Sequence, residues 1–146
     1  MGTGSQGYQF NATTKALASY AGRKCVDPQD IRIAIACQKD VSIPIPTTRT
    51  EINEEVSKLL LGKEFDEYVK RSQQYRQNKA KIYSVTLVQC TEAMKNCLEG
   101  EETYEDFNED SDIIRILLLI KSIAYSYESK LYHVLAIHVA LPMTIT

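Results

Sequence analysis

The stretch that decides the fold is Ile52–Leu98, INEEVSKLLLGKEFDEYVKRSQQYRQNKAKIYSVTLVQCTEAMKNCL. Ile52, Val56, Leu59 and Leu60 form an apolar stripe at helical spacing, and Phe65, Tyr68 and Val69 continue it beyond Gly62. A later stripe, Tyr83, Leu87, Cys90, Met94, Cys97 and Leu98, advances by alternating fours and threes. No proline interrupts the run. An unbroken helix here would be on the order of 70 Å long, too long for a compact globule of this size. The sequence therefore predicts either a break near Gly62, where glycine costs about 1 kcal/mol relative to alanine, or an elongated molecule built on one long helix.

Upstream lies Val41–Thr50 (VSIPIPTTRT). Pro44 and Pro46 remove backbone donors and hold Ile43 and Ile45 in extended conformations, so residues 41–50 read as a stiff linker. Before the linker, Asp27 precedes Pro28, which is tolerated at a first helical position, and Asp30 favours the positive end of the dipole. This predicts a helix from Pro28 to about Gln38 with Asp27 as its cap. A further helix is expected from Asn11 through Tyr20, stopped by Gly22. Residues 1–10, rich in Gly, Ser and Gln, read as a disordered amino terminus.

Downstream, Gly100 ends the long helical region and residues 99–110 read as an acidic loop. Ser111 is placed to cap a helix in which Ile113, Ile116, Leu117, Ile120, Ala124 and Tyr127 recur at helical spacing. Apolar residues surround much of that helix, making it the expected centre of the core. Leu131–Leu141 reads as a short helix or a strand ended by Pro142, and residues 142–146 as a tail. The expected architecture is all-α: a helical bundle over residues 11–141, with a long central helix or helix pair and a buried C-terminal helix.

The composition narrows the functional classes. The 146 residues are 44% hydrophobic, which suits one domain able to bury a core. No apolar run approaches the ~18 residues of a membrane span, and Met1–Phe10 lacks the regions of a signal peptide. Four scattered cysteines then read as thiols in a reducing cytoplasm. The formal net charge of −2 conceals a strong segregation. Eight of the 19 acidic residues lie between Glu99 and Asp112 with no Lys or Arg among them, leaving 11 acidic against 17 basic residues elsewhere. Lys70, Arg71, Arg76, Lys79 and Lys81 cluster without an intervening Asp or Glu. Such polarity suits head-to-tail contact between copies, or contact with a polyanion.

Catalytic and metal-binding patterns are hard to find. The cysteines lack zinc-ligand spacing, and His133 and His138 lack the glutamate of a metalloprotease helix. Cys90 and Cys97 would lie on one helix face, about 10 Å apart and too far to bridge. Asp106, Asn108, Asp110 and Asp112 alternate like the first ligands of a calcium loop, but Ser111 stands in place of the turn glycine and Leu117 in place of the bidentate glutamate. No catalytic residue, metal site, cofactor or small-molecule substrate is therefore assigned. The remaining candidate is a nucleic-acid interface formed by Lys70, Arg71, Tyr75, Arg76, Lys79 and Lys81, in which cations hold phosphates and tyrosine stacks a base. The bland reading of the same residues is a solvated helix face.

Four segments carry a family resemblance: Ala16–Lys24 (ALASYAGRK), Phe65–Arg71 (FDEYVKR), Asn78–Leu98 (NKAKIYSVTLVQCTEAMKNCL) and Asp112–Tyr132 (DIIRILLLIKSIAYSYESKLY). In this order they resemble the gag-like polypeptide of copia-type long-terminal-repeat retrotransposons. The resemblance implies a mostly helical, capsid-type structural protein that self-associates, packages RNA and has no active site. Three features depart from the family pattern: the Cys-Cys-His-Cys zinc knuckle is missing, Val85–Val88 (VTLV) replaces an aromatic position, and the tail LPMTIT lacks the usual basic continuation. A truncated or decayed element copy would account for all three. The alternative from another class is a helical adaptor or regulatory domain that binds a protein partner through an apolar groove and has no nucleic-acid role.

Overall fold

The structure, a computed structural model, describes residues 2–48, 50 and 53–126. These form six helices and no strand: α1 (Gly2–Lys24), α2 (Gln29–Cys37), α3 (Glu54–Gln89), α4 (Glu92–Glu99), α5 (Tyr104–Asp110) and α6 (Ile113–Ser126). The all-α expectation is met. The segment Leu131–Leu141 and the residues Tyr127, His133 and His138 lie outside the described residues.

The core is organised around α6, which touches each of the other five helices. Ile113, Ile116, Leu117, Ile120 and Ala124 are fully buried, as their periodicity predicts. Against them pack Phe10 and Leu17 from α1, Ile31 and Ile35 from α2, Ile82 from α3, and Met94 and Leu98 from α4. α6 has so many helical neighbours because its apolar residues extend around most of its circumference.

Local chemistry corrects several boundaries. The amino terminus is helical from Gly2 rather than disordered to residue 10. Tertiary packing overrides the weak local propensity: Phe10 is fully buried, and the Lys121 ammonium lies 5.8 Å from its ring centroid. Gly22 does not stop α1, which runs on to Lys24. Gly22 instead gives room to α2, since a Cβ there would sit 3.2 Å from Cδ of Arg32. Asp27 does not cap α2. Its φ is 45°, Pro28 occupies the capping position, and that position makes no side-chain capping bond to the first turn.

The long helix is continuous through Gly62. α3 has 36 residues, hence a length of about 54 Å, and the break comes at Cys90 and Thr91. Cys90 turns to extended backbone at the end of α3, while the Thr91 hydroxyl accepts a hydrogen bond from the Met94 N–H (3.3 Å) and starts α4. Cys90 thus lies in the break between α3 and α4, and Cys97 within α4, so the two do not share one helix face. The acidic segment is not simply a loop, because it contains α5, whose half-buried Tyr104 and Phe107 pack against the core. Ser111 ends α5 in the left-handed region (φ 51°). The cap of α6 is Asp112, whose Oδ1 accepts from the N–H groups of Ile114 (3.1 Å) and Arg115 (3.2 Å). Among the described residues, no helix is long and apolar enough to cross a membrane.

Candidate functional site

α3 divides into two halves with different surroundings. From Tyr75 onward it contributes Tyr75, Ile82 and Tyr83 to the core; before Tyr75 it contributes none of the core residues, and only Ser57 is buried. The basic cluster straddles this division.

Arg71 donates from Nε and Nη2 to the two carboxylate oxygens of Asp30, at 2.8 and 2.7 Å. This two-bond fork locks the middle of α3 to the first turn of α2. The Arg71 hydrogen bond holds the Asp30 carboxyl below its ordinary value, with burial acting in the opposite sense. Tyr75, one turn along, is buried. Its hydroxyl donates to Asp40 and accepts from the Val41 N–H at 3.0 Å, tying α3 to the start of the linker. Burial, followed by the bond to Asp40, pushes the Tyr75 hydroxyl well above its ordinary value and keeps it neutral. At Asp40 burial raises the carboxyl, but the Tyr75 hydroxyl, Lys79 and the Val41 N–H together bring it below its usual range. Lys79 pairs with Asp40 at 3.3 Å and lies 4.7 Å from the centroid of the Tyr75 ring. Lys81 donates to the Lys24 carbonyl (2.6 Å) at the carboxyl end of α1, where a cation complements the helix dipole. Asn78, buried between these groups, donates to the Val26 carbonyl at 2.8 Å and accepts from Gln74 at 3.1 Å.

Three of the five cations therefore tie α3 down: Arg71 to α2, Lys81 to the end of α1 and Lys79 to Asp40 beyond α2. Lys70 and Arg76 are exposed and make no hydrogen bond or ion pair among the described residues. Tyr75 has its ring in the core and its hydroxyl engaged, so it presents no stacking face to a base.

A cleft of about 980 Å³ lies between the start of α2 and the middle of α3. Lys70 and Arg71 line it together with Asp27, Asp30 and Glu67, and the amides of Gln73, Gln74 and Gln77 complete one wall. Acids outnumber bases in that lining, and Arg71 is already neutralised by Asp30. With Pro28, Ile33 and Val41 also in its lining and Asp27 and Glu67 set against Lys70, the cleft is unsuited to concentrating phosphates.

Three surfaces have no partner among the described residues. One is acidic: Glu101, Glu102, Glu105, Asp106, Glu109 and Asp110 are all exposed around α5. Another consists of the exposed cations Lys70 and Arg76. The last is apolar and belongs to the stripe that helical spacing marks on α3. Leu59 is 71% exposed, Phe65 48%, Val56 47% and Val69 37%, all on the first half of α3. Sequence periodicity finds these positions, but it does not reveal whether their stripe meets the same chain.

Among the described residues, no cluster of His, Cys, Asp and Glu could hold a metal ion. The four cysteines are free thiols, and burial pushes Cys90 up to about 11. No protein-family profile, curated protein or solved structure matches this chain.

Proposed function

We propose that the protein is a non-enzymatic structural protein of the gag-like, capsid type that works in the cytoplasm by associating with copies of itself. The observation that carries this reading is the exposure of Val56, Leu59, Phe65 and Val69 along the first half of α3, four large apolar side chains that the core of the chain does not use. Charge segregation supports it. An exposed acidic surface around α5 and exposed cations on α3 belong to one chain, so copies meeting α5 to α3 attract one another. RNA contact is the subordinate part of the reading and falls to Lys70 and Arg76, because Arg71, Lys79 and Lys81 have partners inside the fold.

Static light scattering across concentration, at low and high salt, tests the assembly. The apparent mass should rise with concentration and respond to salt, because charged contacts weaken as the Debye length shortens. A monomer under every condition would overturn the proposal and favour the adaptor reading. For RNA, Lys70→Ala and Arg76→Ala should weaken a salt-dependent binding isotherm, and the absence of salt-dependent binding by the unmodified chain would remove that part.

A further inference from the structure

We propose that the first half of α3 pairs antiparallel with the same segment of a second copy, about a two-fold axis at Gly62. This rests on the self-association reading and specifies its contact. Gly62 is exposed, lies inside a continuous helix and takes no left-handed φ; a Cβ built on it would meet nothing within 4 Å. The fold of one chain thus gives no steric reason for a residue that costs about 1 kcal/mol relative to alanine in a helix. Glycine does serve close approach of a second backbone. The apolar side chains bordering Gly62 on that face are the exposed Leu59 and Phe65, each three residues away, and Val69, seven residues away.

Charge chooses the orientation. A two-fold axis at Gly62 sets Leu59 opposite Phe65 of the second copy, Lys58 opposite Asp66, and Glu54 opposite Lys70. All four of these charged side chains are exposed. Glu55 falls opposite Val69, where its methylenes can cover the valine while its carboxylate reaches the rim. Parallel pairing would set Lys58 beside Lys58 and Asp66 beside Asp66, which is repulsive. An isologous contact of this kind closes on itself as a dimer, leaving α5 and Arg76 free for contacts between dimers.

The test is sedimentation equilibrium of the full chain, with circular dichroism on each variant. Gly62→Ala should weaken dimerisation by about tenfold or more while the helix content is kept and the melting temperature of the dilute protein does not fall. Lys58→Asp should also weaken the dimer, and adding Asp66→Lys to it should restore association. A Gly62→Ala protein that dimerises like the unmodified chain, or a double charge reversal that fails to recover what the single one lost, overturns the antiparallel pairing and leaves self-association standing. A strictly monomeric unmodified chain overturns both.

Discussion

Arg71 and Asp30 hold each other through two N–H···O bonds, with the Asp30 side chain only 12% exposed and the Arg71 side chain half exposed. Truncating Arg71 would leave a largely buried carboxylate without its strongest partner. Arg71→Ala should therefore lower stability by about 1–2 kcal/mol in urea unfolding at neutral pH, the solvent-facing arginine keeping the loss below that of a buried pair. Because Asp30 is held below its ordinary value, its stabilisation is complete above the unfolded-state value near ~3.9 and is lost as pH falls through the lower folded-state value. Unmodified and Arg71→Ala proteins should accordingly converge in stability as pH falls through the folded-state value; a constant gap would show that packing, not charge, made the difference. The cysteines offer a second check. Cys37 is exposed whereas Cys90 is buried with its thiol pushed up to about 11, so a thiol reagent at neutral pH should label Cys37 first in the folded protein and reach Cys90 only on unfolding.

Helix boundaries show what short-range chemistry does and does not convey. The apolar period over Ile113–Ile123 was enough to identify α6 and its buried face, because every neighbour of that helix reads the same stripe. Its start was not legible, since Ser111 and Asp112 are both good caps and only the left-handed turn at Ser111 decides between them. Asp112→Ala should cost about 1 kcal/mol, while Ser111→Gly should be neutral or stabilising; thermal melts of the two proteins separate the assignments. Glycine at position 62 suggested a break in α3 that the helix does not make, and the true break, at Cys90 and Thr91, falls inside a stripe of unbroken period. α5 was hidden for a different reason: seven residues anchored only by Tyr104 and Phe107 give too little pattern to distinguish from a loop.

The described residues form a core around α6, which leaves Val56, Leu59, Phe65 and Val69 of α3 exposed. Leu117→Ala should cost about 2–5 kcal/mol, as expected for a fully buried leucine at the centre of the bundle, with Leu59→Ala near neutral for folding of the single chain and harmful to association. The division of the basic cluster was not visible in sequence, because the partners of Arg71 and Lys79 lie 41 and 39 residues away in α2 and the linker. Local charge counting sees five cations within 12 residues, whereas folding gives Arg71, Lys79 and Lys81 partners among the described residues and leaves Lys70 and Arg76 exposed. Sedimentation velocity of the unmodified chain over about a hundredfold range of concentration tests the central claim most directly. Self-association predicts a sedimentation coefficient that rises with concentration, with the shift reduced in Leu59→Ala; a single, concentration-independent species at the 16.5 kDa monomer mass would contradict it.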